Sequence, residues 1–378
     1  MRQLEATMLI GVPKEIKTDE YRAGLTAATV GELTARGHRV AVETKAGAGA
    51  GIVDVEYIAA GAEIVTNADQ IYQRAELIVK VKEPLASERK QLRRGQIIFT
   101  YLHLAPDPEQ THDLMDSGVT ALAYETVTDA AGKLPLLAPM SGVAGCMAPQ
   151  VAAHFLQRPQ GGRGILLGRI EGVPSAEVVV LGGGVVGSNA AEMAIGMGAN
   201  VTVAARSKET QRRLSQRFGG RVRFVTADSG AIEALCTSAD VVIGAALVAG
   251  GAAPKLISAR TVAAMKLGSI IVDVSIDQGG CAETSRPTTH SQPTFVVDGV
   301  VHYCVANMPG AVPRTSTFAL DNATRPFVLA LADKGFPRAL IDDVHLQHGL
   351  NVHDGKITCR AVADALRLPY TQAAEVLR

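Results

Sequence analysis

Residues 177–206 read EVVVLGGGVVGSNAAEMAIGMGANVTVAAR. The run 178–181 is uncharged and β-branched, the composition of a strand buried on both faces. Gly182, Gly184 and Gly187 follow in the spacing G-x-G-x-x-G; residues 189–197 continue as a helix that stops at Gly198, and 201–204 is a second buried strand. Together they make a βαβ unit whose turn suits a phosphate. Gly182 allows the tight turn, Gly184 lets a pyrophosphate approach the backbone, and Gly187 lets helix and strand pack closely. The helix N terminus then offers N–H donors. A bare glycine pattern is weak, but its place between strand and helix favours a dinucleotide site over a plain Gly-rich turn.

Working outward, the same grammar recurs on both sides. Short apolar runs at 9–12, 39–43, 64–65, 77–82, 97–101 and 120–124 read as strands, with Met8 opening the first; 27–36 and 107–116 read as helices stopped by Gly37 and Gly118. Downstream, 222–225, 241–243, 270–273 and 294–297 read as further strands. This alternation predicts an α/β chain of two doubly wound, mostly parallel-sheet domains: a Rossmann dinucleotide domain inserted in a Rossmann-like substrate domain. The run Met308-Pro309-Gly310-Ala311-Val312-Pro313 looks like the return hinge, too rich in Pro and Gly to be regular. The tail has a helix at 320–334, an Asp354-Gly355 hairpin signal and a helix at 360–366. Too small to stand alone, this tail is expected to pack back on the first domain. The expected domains are 1–135 with 314–378, and 136–313, with a cleft between them.

Bulk properties narrow the partners. With 378 residues there is core enough without staples, and a net charge of zero with no long basic run argues against nucleic acid or an anionic membrane surface. The uncharged stretch 134–157 is long enough to span a bilayer, but Pro135, Pro139, Pro149, Gly142 and Gly145 make it a buried loop and helix. Five scattered cysteines, none in C-x-x-C spacing, suit thiols in a reducing cytoplasm and no structural zinc. The N terminus has no apolar signal core.

Four polar residues stand where chemistry is expected. Lys80 and Lys82 alternate on an otherwise apolar run ended by Pro84, which puts both on one strand face; ligands in open parallel sheets bind beyond the strand carboxyl ends, favouring Lys82. An exposed edge strand is the competing reading. His103 follows the 97–101 strand at a similar position, placed for proton transfer near neutral pH, with a satisfied core histidine as the alternative. Asp277 lies just beyond the 270–273 strand, before Gly279-Gly280, and points toward the expected cleft, while Asp273 reads as a loop anchor. Arg22 can offer a bidentate fork to a carboxylate, or be an ordinary surface arginine.

Seven separated motifs then line up in register: Gly11-Val12-Pro13-Lys14-Glu15, Val79-Lys80-Val81-Lys82-Glu83-Pro84, Phe99-Thr100-Tyr101-Leu102-His103-Leu104, Leu136-Leu137-Ala138-Pro139-Met140-Ser141, Gly161-Gly162-Arg163-Gly164, Asp277-Gln278-Gly279-Gly280 and Val305-Ala306-Asn307-Met308-Pro309. In these the chain resembles the alanine dehydrogenase and proton-translocating transhydrogenase family over almost its whole length. The resemblance implies reversible oxidation of L-alanine to pyruvate and ammonia by a metal-free homohexamer in the cytoplasm. By position, Arg22 and Lys82 would hold the substrate, His103 would be the general acid/base, and Asp277 would orient substrate and water. Ser141 and Val185, Ala246 and Leu247, and Val274, Ser275, Ile276 and Asp277 would line the dinucleotide. So would Arg286 and the run Val305, Ala306, Asn307 and Met308.

One departure bears on the cofactor. The acidic residue that family members use to bind the adenine ribose 2′-OH falls at Ala205, followed by Arg206 and Ser207. An acid repels a 2′-phosphate, whereas a small residue followed by arginine and serine accepts one. The sequence thus raises NADP, or both cofactors, in place of strict NAD; stacking of Arg206 on adenine is the competing reading. Cys146-Met147 stands where relatives often carry Arg-Leu, with no functional account. Two other classes share this fold, a transhydrogenase nucleotide-binding subunit and a non-enzymatic nucleotide sensor. Neither needs Arg22, Lys82, His103 and Asp277 together. Another small amino acid as substrate is also compatible with the sequence.

Overall fold

The computed structural model describes residues 7–246 and 253–378. They divide into two compact units, the described residues within 7–140 with 310–378 and those within 141–309. Each carries one sheet, and the reason is visible in the runs that form them.

In the first unit the strands are β1 (Leu9–Val12), β2 (Arg39–Glu43), β3 (Glu63–Val65), β4 (Leu77–Val79), β5 (Ile97–Thr100) and β6 (Thr120–Ala123). In the second they are β7 (Glu177–Leu181), β8 (Asn200–Ala205), β9 (Val222–Thr226), β10 (Val241–Gly244), β11 (Ile270–Asp273), β12 (Thr294–Val297) and β13 (Val300–Tyr303). The tail returns to the first unit with β14 (Leu350–His353) and β15 (Lys356–Ile357). The first sheet has the order β15-β14-β6-β5-β4-β1-β2-β3 and the second β12-β13-β11-β10-β7-β8-β9. Pairing is parallel except where β14 meets β6, β15 meets β14, and β12 meets β13. Leu77, Ile78 and Val79 are wholly buried, as are Val241, Val242 and Ile243, so these strands read as unbroken apolar runs.

Each strand order reverses once beside its first strand. In the first sheet β2 and β3 lie on one side of β1 and β4 on the other; in the second β8 and β9 lie on one side of β7 and β10 on the other. Loops leaving the carboxyl ends on either side of such a reversal diverge, and ligands bind there.

Several local expectations change. β4 ends at Val79 and lies in the middle of the sheet, so Lys80 and Lys82 are not on an exposed edge strand, nor do they alternate on one face of a strand. β13 was not read, although Asp298 (φ 48°) and Gly299 (φ 76°) supply the two left-handed residues of a tight hairpin. The run after Asn307 is more regular than its composition predicts. Residues Met308–Ala311 form a 3-10 turn, and Pro313 opens a helix, Pro313–Lys334, because a first-turn proline lacks only an N–H that has no partner there. The first strand begins at Leu9, one residue after Met8.

The tail helix is fastened by a buried carboxylate. Asp321, 1% exposed, accepts from Thr26 N (3.0 Å), Thr26 Oγ1 (2.8 Å) and Thr29 Oγ1 (2.7 Å) at the start of the helix Ala27–Ala35. Removing a charged acceptor strands buried donors, which costs about 3 kcal/mol. Asp321→Ala is therefore expected to lose roughly that much stability in urea unfolding of the first unit, with little change for Asp333→Asn, a half-buried control outside this cluster.

Candidate active site

In the second unit the glycine turn follows β7. Gly182 has φ +116°, and a Cβ there would stand 2.5 Å from Ala245 O, so the turn lies against the end of β10 at the reversal of strand order. A Cβ on Gly187 would fall 1.9 Å from Gly182 O, the close helix-to-strand packing expected of that position. Gly184 is different: no atom lies within 4 Å of its Cβ position. It precedes the helix Val185–Gly196, whose N terminus has no side-chain cap. First-turn N–H groups opening onto room cleared by a glycine fit a pyrophosphate. Val185, the first helical residue, is 45% exposed.

The neighbouring residues gather around this turn. Ala205, the last residue of β8, has its methyl 3.6 Å from the Cβ position of Gly183. Arg206 is exposed, and Ser207 caps the helix Lys208–Phe218 by accepting from Thr210 N at 3.3 Å. From that helix Arg213 donates to Gly183 O at 2.6 Å, so a second guanidinium reaches the glycine turn. Ala246 is joined to the β11 loop by Ser275 Oγ, which donates to Ala246 O at 2.7 Å. Leu247 lies outside the described residues.

The loop after β11 is organised by Asp273, 1% exposed, which accepts from Ser275 N, Cys281 N, Ala282 N and Ser285 Oγ at 3.1, 2.8, 3.3 and 2.6 Å. It is the anchor the sequence suggested. On this frame sits the 3-10 segment Val274–Gln278, with Val274 half-buried, Ser275 and Ile276 buried and Asp277 exposed. Arg286 is exposed, its guanidinium 4.2 Å from the Phe295 ring centre. Val305 and Met308 are buried, Ala306 and Asn307 half-buried, and Asn307 takes φ +68°. Ser141 is half-buried in the first turn of the helix Ala138–Phe155, where Gly142 approaches Asn189 of the glycine-turn helix.

In the first unit, half-buried Lys82 and exposed His103 each lie three residues past the end of a strand, β4 and β5, and Arg22 lies in the loop that follows β1. Arg22 is 2% exposed and grips Glu20 through Nε–Oε1 (2.7 Å) and Nη2–Oε2 (2.5 Å), while Nη1 faces Met140 Sδ at 3.0 Å. Burial works against the guanidinium charge, but Glu20 outweighs it and holds the pKa above the ordinary arginine value. Arg22 is therefore a buried charged residue, not an ordinary surface one. Gly24, two residues on, comes so near β4 that a Cβ would meet Val79 O at 2.4 Å.

His103 is 46% exposed at its side chain, with φ +50°, a conformation a non-glycine residue adopts at a cost. Glu125, just beyond β6, holds it there: Oε1 accepts from His103 N at 2.6 Å and Leu102 N at 3.2 Å, and lies 3.8 Å from His103 Nδ1. The imidazole stacks on Tyr101, ring centres 5.8 Å apart. The exposed ring and strained backbone set aside the core-histidine alternative. Glu15, Glu20 and Glu125 were not singled out from sequence as site residues. Glu125 carried one usable signal, an acid immediately past a buried strand beside that of His103.

Set against known proteins, the chain is matched along most of its length by two parts of one family. Residues 11–144 match the alanine dehydrogenase/PNT N-terminal domain and residues 148–360 the alanine dehydrogenase/PNT C-terminal domain. The chain belongs to the alanine dehydrogenase/PNT family. Alanine dehydrogenase of Halomonas elongata is 57% identical over 370 residues, 98% of this chain and 100% of that one. A solved L-alanine dehydrogenase superposes with a TM-score of 0.92 at 50% identity, covering 95% of this chain and 99% of that chain. A transhydrogenase from Sinorhizobium meliloti, at TM-score 0.80 and 23% identity over 93% of this chain and 99% of that one, shares the fold alone. Among the described residues no helix is long and apolar enough to cross a membrane.

The glycines give a paired prediction. Gly184→Ala, which meets nothing in the protein, is expected to keep the wild-type melting temperature yet weaken dinucleotide binding at least tenfold by calorimetric titration. Gly187→Ala, driven into Gly182 O, is expected to lose both stability and binding.

Proposed function

We propose that this chain is a nicotinamide-dinucleotide-dependent amino acid dehydrogenase that interconverts L-alanine and water with pyruvate and ammonia. The observation that carries the reading is an exposed histidine just past β5, held in strained backbone by Glu125, with Lys82 just past the neighbouring strand β4 and the buried Arg22 in the loop after β1. The 57% identity to an alanine dehydrogenase supports it, as does the glycine turn with room at Gly184.

In this reading Arg22 and Lys82 fix the carboxylate and the reacting nitrogen or carbonyl side of the substrate. A nicotinamide dinucleotide held at the glycine turn would supply the acceptor for the hydride of the alanine Cα. The iminium left behind is attacked by water, which His103 deprotonates, and the same imidazole returns the proton as ammonia departs. Asp277 orients substrate and water. Gly182, Gly184, Gly187 and the residues assigned around them hold the dinucleotide, with Ser141, Arg286 and 305–308 completing the contact. Two fixed cations on the substrate restrict it to one attack geometry, and alignment of this kind is worth several kcal/mol of barrier. Residues 136–313 act as the dinucleotide domain and the remainder as the substrate domain. Family membership supports assembly as a cytoplasmic homohexamer, which sedimentation would test.

A specific observation favours NADP, alone or beside NAD. Ala205 brings a methyl group to 3.6 Å from the Cβ position of Gly183, Arg206 is exposed next to it, and Arg213 brings a second guanidinium to the turn. None of the three carries a carboxylate to repel a 2′-phosphate. Alanine-dependent reduction should proceed with NADP at a kcat/KM at least equal to that with NAD. Ala205→Asp should reverse the preference by about tenfold or more. A strong wild-type preference for NAD would reject this reading while leaving the dehydrogenase intact. His103→Ala should cut turnover on the order of a thousandfold with either nucleotide, as loss of a general acid/base does; retained activity would remove His103 from the mechanism.

A further inference from the structure

The three residues after β4 have every backbone group accounted for. Lys80 N donates to Phe99 O (3.2 Å), and Lys80 O accepts from Tyr124 OH (3.0 Å). Val81 O accepts from Tyr101 N (3.3 Å), and Lys82 O from Thr100 Oγ1 (2.8 Å). The two N–H groups that remain, of Val81 and Lys82, both go to one atom. Glu15 Oε1 accepts them at 2.6 and 3.3 Å.

Glu15 arrives from the far side of the strand reversal, three residues past the end of β1. Its second oxygen accepts from Lys80 Nζ at 3.1 Å; Lys80 also donates to Glu88 Oε1 at 2.7 Å, which Tyr72 OH reaches at 2.9 Å. Glu88 Oε2 in turn accepts from Leu85 N at 2.8 Å, just past Lys82. Lys80 is fully buried, and Glu15 and Glu88 are 6% and 3% exposed. Burying such a triad is a poor source of stability, because desolvation cancels most of the attraction. What it does supply is geometry. An oxygen that takes two successive N–H groups fixes the peptide between them, and an ammonium on the other oxygen fixes the carboxylate.

Resting on the dehydrogenase reading above, we infer that Glu15, braced by Lys80 and Glu88, is a positioning residue that aims Lys82 at the substrate. It touches no reacting atom. It sets the backbone from which the Lys82 side chain departs, and a displacement on the order of 1 Å at such a residue costs about a hundredfold in rate.

The test is Glu15→Gln, isosteric but unable to accept from both backbone N–H groups and Lys80 without setting donor against donor. In reductive amination kcat/KM for pyruvate should fall about a hundredfold, mostly through KM, while dinucleotide affinity stays within about twofold. A double-mutant cycle separates positioning from general damage. If Glu15 acts through Lys82, adding Glu15→Gln to Lys82→Arg should cost less than about threefold more. Independent, multiplying losses overturn the inference, as does a Glu15→Gln enzyme with wild-type kcat/KM, or one that loses pyruvate and dinucleotide binding in equal measure. If Glu15→Gln does not fold, the pair Glu15→Gln with Lys80→Gln removes one charge of each sign, and the same outcomes apply. A wild-type chain that turns over neither alanine nor pyruvate overturns the functional reading together with this one; activity that is indifferent to Glu15 overturns this one alone.

Discussion

Parallel strands impose a constraint on which the chemistry of this chain depends. Each connection must cross a face of the sheet, so the loops at the carboxyl ends gather along one edge, and where the strand order reverses they separate. Both units exploit that separation. In the second, the reversal between β7 and β10 carries a glycine turn and an uncapped helix N terminus. In the first, the reversal between β1 and β4 carries charged side chains, whose burial would be costly if each did not have a partner of opposite sign. Arg22 has Glu20, and Lys80 has Glu15 and Glu88.

These acidic residues neutralise charge and also act on the backbone: Glu20 pairs with the Arg22 guanidinium and accepts its N–H at 3.0 Å. Glu15 takes N–H groups beyond β4, Glu125 those beyond β5, and Asp273 those beyond β11. Three carboxylates thus do at loop starts what secondary structure does elsewhere, giving each N–H a fixed acceptor. The segments they hold carry Lys82, His103 and Asp277 in turn.

The sequence made the sheets legible because buried parallel strands need apolar centres: 9–12, 39–43 and 270–273 each hold at least three apolar residues, and their ends coincide with β1, β2 and β11. The glycine turn was legible because its requirements are steric. The Asp354-Gly355 hairpin was legible for the same reason, with φ of 45° and 79° at its two central residues. The same signal at Asp298-Gly299 passed unread, and β13 with it. What residue patterns alone concealed were the relations that only folding creates. Lys80 and Lys82 look equivalent two positions apart, yet one is sealed in the core and the other half-buried, because the strand ends between the pattern and its continuation. Lys80 is paired with an acid 65 positions away, and no local spacing announces that. Glu125 is 22 positions from the histidine it holds.

The first unit is also interrupted in sequence, and that has a consequence during synthesis. Its strand β6 ends at Ala123, while the partner strand β14 begins at Leu350. Thr26 and the carboxylate that satisfies it are 295 positions apart. At roughly 5–20 residues per second, a ribosome leaves the early strands without their last neighbour for about 11 to 45 seconds. The second unit, contiguous from residue 141 to 309, has its whole sequence delivered in that interval. The inserted unit is therefore able to fold first, while the unit that begins the chain is among the last parts to be finished.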